Sequence, residues 1–74
     1  SDKIKIYPNP ATDIINIESN YNINSIEIVD NMGRLIMEKE GCNKLIISEL
    51  KSGTYSIYLY YGNKKIIKRF TKSN

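Results

Sequence analysis

The chain has 74 residues, enough for one small domain, and that size leaves no room for a deep cleft walled by two lobes. Eleven basic and eight acidic side chains give a formal net charge of +3, and the excess is concentrated at the end, since no acid follows Glu49. The chain has no histidine and a single cysteine, Cys42, which excludes Ser-His-Asp and Cys-His catalysis, an intramolecular disulfide and a Cys/His zinc cluster.

Apolar residues recur with a period of two, which predicts strands throughout. The first runs over Lys3–Tyr7 and is followed by Pro8-Asn9-Pro10, which holds both prolines of the chain. Pro8 and Pro10 fix their own φ and push Tyr7 and Asn9 toward extended conformations. The segment therefore reads as a stiff corner leading into the second strand, with Asp13 placed to accept backbone N–H bonds there. Asp13–Ser19 follows, with Ile15 and Ile17 on one face. Asn20-Tyr21-Asn22-Ile23-Asn24 is a polar loop, because asparagine side chains compete locally for backbone hydrogen bonds.

The third strand, Ser25–Asp30, sets Ile26 and Ile28 against Glu27 and Val29. Asp30 opens a turn in which Gly33 can take positive φ, and Arg34 resumes the ladder into the fourth run, Arg34–Lys39. Lys44–Ser48 is a fifth, with Leu45 and Ile47 together. Gly53 lets the backbone turn before Thr54–Tyr61, where Tyr55, Ile57 and Leu59 face inward and Ser56, Tyr58 and Tyr60 outward. Gly62-Asn63 is a two-residue hairpin signal of type II′. The seventh run, Lys64–Thr71, has no clean apolar face: Ile66 and Phe70 share a side with Lys68, and Ile67 shares the other with Arg69. Charges so placed suit an edge strand, where they block pairing with other chains. Seven short strands with turns between them indicate a β-sandwich, with a small barrel as the alternative.

Little chemistry is available to such a chain. Cys42 sits in a turn without a base, and Asp13, Asp30 and Glu49 do not stand at calcium-loop spacing. No glycine-rich phosphate loop occurs. No catalytic residue, cofactor or metal is expected. Tyr58, Tyr60 and Tyr61 near Lys64, Lys65 and Arg69 resemble a single-strand nucleic-acid platform, but cross-strand tyrosines are equally sheet stabilisers, and nucleic acid is not the expected partner. No apolar run has the length of a membrane span, and no membrane insertion is expected. Opening on Ser1-Asp2-Lys3, the chain reads as a single domain, 1–74, cut from a larger protein.

Four segments in order carry a resemblance over essentially the whole chain: Tyr7-Pro8-Asn9-Pro10-Ala11-Thr12-Asp13, Ile28-Val29-Asp30-Asn31-Met32-Gly33-Arg34, Leu50-Lys51-Ser52-Gly53-Thr54-Tyr55 and the basic end Lys68-Arg69-Phe70-Thr71-Lys72. Together they resemble the type A C-terminal sorting domain of proteins exported by the type IX (Por) secretion system of Bacteroidetes. The resemblance implies a compact seven-stranded immunoglobulin-like sandwich behind an upstream cargo domain. It implies a signal that directs a periplasmic cargo through an outer-membrane translocon, followed by removal of the domain by a surface sortase, with the cargo anchored or released. The product would be secreted or at the cell surface. Pro8, Asn9, Pro10, Asp13, Asp30, Gly33, Arg34, Gly53 and Tyr55 are the signal-motif residues. Because its faces pack poorly, the last strand is the expected surface for translocon recognition, through Lys64, Lys65, Lys68, Arg69, Phe70 and Lys72. The other reading is an accessory adhesion or carbohydrate-binding sandwich using Tyr58 and Tyr60.

Overall fold

The structure, a computed structural model, describes residues 4–74. Seven strands appear in chain order: β1 Ile4–Tyr7, β2 Ile14–Ser19, β3 Ser25–Val29, β4 Leu35–Glu40, β5 Lys44–Ile46, β6 Gly53–Tyr61 and β7 Lys64–Lys72. They form two antiparallel sheets, a three-stranded one of order β1-β2-β5 and a four-stranded one of order β4-β3-β6-β7. This is the immunoglobulin-like sandwich, in the variant where the fourth strand pairs with the third instead of joining the first sheet. No helix occurs among the described residues.

Alternation decides which side chains meet between the sheets. Ile15 and Ile17 of β2 and Leu45 of β5, with Ile47 just beyond it, face Ile26 and Ile28 of β3 and Ile57 and Leu59 of β6; all are buried. Each fully buried isoleucine contributes about 1.5–3 kcal/mol, so this double row of branched side chains is the main source of stability. The expected faces of β2, β3, β5 and β6 are those found. One element is largely outside this core. In β4 only Met37 packs against it, while Leu35 and Ile36 stay 54% and 41% exposed. Three strands cannot cover four, and β4 is the strand left over.

The hairpin joining β6 to β7 turns on Gly62-Asn63, with Tyr61 and Lys64 as its last pair. Gly62 has φ of 57° and Asn63 does not have positive φ, the combination of a type II′ turn. β7 pairs with β6 over nine residue pairs and stands at a sheet edge, as its mixed faces indicate.

The passage from β1 to β2 departs from the sequence expectation. The chain does not simply turn back along its own sheet. It crosses to the second sheet, where Ala11 forms a parallel bridge with Lys72 at the outer edge of β7. Ala11 N–H donates to Thr71 O at 2.9 Å, and Ser73 N–H donates to Ala11 O at 2.8 Å. Ala11 is 1% exposed, a space in which a larger side chain would collide with the core. Both X–Pro bonds of this crossing, Tyr7–Pro8 and Asn9–Pro10, are cis.

Candidate functional site

The four segments that carry the sequence signal are spread over the chain but fold to one end of the sandwich. That end is where β1, β3 and β7 finish and β6 begins. Register places them together: Val29 pairs with Ser56, Ser56 with Arg69, and Gly53 with Lys72.

The turn after β3 is built around one carboxylate. Asp30 Oδ1 accepts from the N–H groups of Met32 and Arg34, both at 2.9 Å, and Oδ2 accepts from Arg34 Nε at 2.9 Å. Gly33, with φ of 83°, donates its N–H to Asp30 O at 3.0 Å. The N–H of Arg34, more than any other group, holds the Asp30 carboxyl below its ordinary value, with Met32 N–H and the guanidinium adding to it. Asp30 thus fixes a turn by spending both oxygens on it, and Arg34 keeps most of its side chain, 75%, in solvent.

The segment before β6 contributes a second fixture. Tyr55 is buried, and its hydroxyl donates to Lys51 O at 2.6 Å, four residues upstream. A tyrosine near the start of the sixth strand that bonds back along the chain is the tyrosine corner of immunoglobulin-like sandwiches. Its ring stacks on Phe70 of β7 with centroids 5.5 Å apart. Gly53, at φ of 149°, supplies backbone that other residues rarely adopt.

Asn9 supplies the third. It stands between two residues that lack an N–H, and its side chain acts in their place. Its Oδ1 accepts from Thr71 N–H at 2.9 Å, and its Nδ2 donates to Arg69 O at 3.3 Å. The amide therefore pairs with β7 as a neighbouring strand would. With Ala11, it closes the C-terminal half of the β7 edge. Sequence reading missed this contact, because its partners on β7 lie 60 and 62 positions away and nothing local to Asn9 points to them.

Three of the residues singled out from sequence do other work than expected. Phe70 is 1% exposed and Lys72 4% exposed, so neither belongs to an accessible face. Both point between the sheets, because β7 alternates and its inward positions near this end lie over the core. Phe70 is a core residue, and Lys72 Nζ donates to Ser73 O at 3.2 Å. At Asp13 the bond is made by the main-chain carbonyl, which accepts from Ile47 N–H at 2.7 Å, and not by the carboxylate. Lys64, Lys65 and Arg69 are exposed along β7, and Lys68 is half-buried.

The tyrosines of the outward face are engaged within the sheet. Lys65 Nζ lies 4.9 Å from the centroid of the Tyr58 ring, and Tyr60 OH donates to Glu27 Oε1 at 2.8 Å. That hydrogen bond, followed by desolvation and the negative charges nearby, pushes the Tyr60 hydroxyl above its ordinary value. Cys42 is half-buried, packed against the core. Among the described residues no three His, Cys, Asp or Glu side chains come together as a metal site.

The chain is an immunoglobulin-like sandwich whose distinctive residues shape one end of the molecule. The family of secretion system C-terminal sorting domains matches residues 5–73, and the chain belongs to it. It is a C-terminal sorting signal of the type IX secretion system, which serves export across the outer membrane to the cell surface or beyond. A search of curated proteins gives no match.

Proposed function

We propose that this domain acts by being recognised, not by catalysis, and that the outer-membrane translocon reads it in its folded form. Its cargo lies upstream in the same chain and reaches the periplasm first. A separate surface sortase then removes the domain and leaves the cargo anchored or released. The observation that carries the reading is the family match over 5–73, whose marker segments converge on one end of the fold. Asp30, Gly33, Gly53, Tyr55 and Asn9 act there by shape: the two glycines supply positive φ, and the other three spend side-chain polar groups on the fold itself. The groups left for a partner are the exposed cations, Arg34, Lys64, Lys65 and Arg69.

The test places residues 1–74 behind a periplasm-targeted fluorescent protein in a Bacteroidetes host. Export of the reporter to the surface or medium is expected. Retention in the periplasm while native cargo is still secreted would overturn the reading. Deleting Phe70–Asn74 is a poor probe of recognition, because it removes a core ring and the partners of Asn9 and Ala11 as well. Charge reversals at exposed positions separate recognition from folding.

A further inference from the structure

The outward face of the four-stranded sheet is polarised across its width. On the β4–β3 side Glu27 and Glu38 stand directly opposite each other. Like charges in that arrangement destabilise a sheet, and no ion pair within the described residues relieves Glu38. On the β7 side the register brings Lys65 and Arg69 to the same face, beside Tyr60 and Ser56. The Arg69 guanidinium makes neither an ion pair nor a hydrogen bond within the described residues; only its carbonyl is engaged, by Asn9.

Between these two sides the face is hollow at the motif end. Val29 is 8% exposed yet stands apart from the core cluster, because it pairs with Ser56 on the outward side. It forms the apolar floor of a depression of about 320 Å³, walled by Asn31, Thr54, Ser56, Tyr58 and Arg69. Three of the marker segments meet in that wall: the Asp30–Arg34 turn, the start of β6 and the end of β7. Asp30 also borders the depression, but Arg34 compensates its charge. Arg69 is left as the uncompensated group there.

We propose that this face docks an extended segment of a partner protein bearing a carboxylate, an apolar side chain and a cation in that order. The carboxylate meets Arg69, the apolar side chain enters the Val29 depression, and the cation lies over Glu27 and Glu38. Adjacent strands are about 4.8 Å apart and residues about 3.3 Å apart along a strand, which makes the path roughly 12–16 Å, or four to five extended residues. The segment crosses the strands and does not add to a sheet edge. The inference rests on the export reading in one respect: within that reading, the partner belongs to the secretion machinery.

Two experiments test it. In the reporter assay Arg69→Glu and Ser56→Trp, which fills the depression, should each lower export at least about tenfold. Lys44→Glu, an equal charge change at an exposed position of β5 in the other sheet, should leave export near wild type. Thermal unfolding of each isolated domain checks that the fold is retained, and Arg69→Gln serves should Arg69→Glu fail to fold. Wild-type export by Ser56→Trp and the folded Arg69 variant, or equal loss with Lys44→Glu, would overturn the proposal. The second experiment is independent of export. The domain is titrated with a capped pentapeptide carrying aspartate first, leucine third and lysine fifth, and amide shifts are followed. Saturable shifts at Asn31, Thr54, Ser56 and Arg69, absent with Arg69→Glu and with an uncharged asparagine–leucine–glutamine analogue, are expected. No shift up to about 5 mM peptide would overturn the docking surface. So would the same shifts on concentrating the protein without peptide, which would assign the face to a second copy of this chain. If the wild-type reporter stays in the periplasm, the export reading falls, and the titration alone decides the docking surface.

Discussion

Replacing Asn9 with alanine tests the strand-like role of its side chain. The substitution removes two hydrogen bonds to β7, one of 2.9 Å from Thr71 N–H and one of 3.3 Å to Arg69 O. A typical net contribution is about 0.5–1.5 kcal/mol per bond, and both bonds are exposed, so water takes over the freed groups without a burial penalty; the sum is about 1.5 kcal/mol. For a domain of 60–100 residues each kcal/mol moves Tm by about 4–8 °C, which gives a fall of about 6–12 °C. The Ala11 bridge to β7 remains, so the fold itself should be retained. Amide exchange at Thr71 should quicken by about tenfold, the factor equivalent to about 1.4 kcal/mol, and amides of β3 that exchange by global unfolding should quicken by a similar factor. Asn9→Asp keeps an acceptor for Thr71 N–H but loses the donor to Arg69 O, and should fall between wild type and alanine. Thermal unfolding by circular dichroism and exchange by NMR measure both quantities. If Asn9→Ala matches wild type in Tm and in Thr71 protection, the side chain is not closing the edge of β7.

The remaining predictions concern the other fixtures of the same end and the tyrosine face. Tyr55→Phe removes the part-buried bond to Lys51 O and should cost about 1 kcal/mol, whereas Phe70→Ala, which empties a fully buried ring site, should cost about 3–5 kcal/mol; urea unfolding measures both, and a small loss at Phe70 would return it to the surface. Asp30→Asn should lower stability at neutral pH. A carboxyl with a lowered native value stabilises above its unfolded value of 3.8 and loses that contribution as pH falls through the native one, so the wild-type advantage should close below pH 3.8. A gap that persists in acid would show that the charge of Asp30 does not matter. Tyr60→Phe has the opposite profile: the raised native value confers stability below pH 10.0 that is lost as pH rises beyond it, so wild type and variant should converge in alkali.

The strands were legible in the sequence because their alternation is strict where both neighbours are paired. Ile15 and Ile17, Ile26 and Ile28, and Tyr55, Ile57 and Leu59 could face only one way. Asp30 and Gly33 were legible for a related reason, since an Asx turn closing on glycine is a local event complete within five residues. What the sequence could not show was anything fixed by contacts between residues far apart in the chain. Asn9 meets residues 60 and 62 positions away, and no local pattern carries that distance. Phe70 misled for the same reason: its neighbours Lys68 and Lys72 made the face read as exposed, and only the position of Tyr55 across the hairpin turns it inward.

The signal residues Asn9, Asp30 and Tyr55 are each consumed by a hydrogen bond that shapes the fold, and this constrains how such an address can work. Residues spent internally cannot also be contacted through the same atoms. Their part in recognition, if the address is read folded, is to bring Val29, Ser56, Thr54 and Arg69 onto one small patch from three distant stretches of chain. An unfolded chain holds those stretches tens of residues apart. Export should therefore follow the fraction folded: Phe70→Ala should export poorly at temperatures where it is unfolded and recover on cooling below its Tm. Arg69→Glu should export poorly at every temperature. Equal export of unfolded Phe70→Ala and wild type would mean that a linear stretch suffices and that the assembled patch is not what is read.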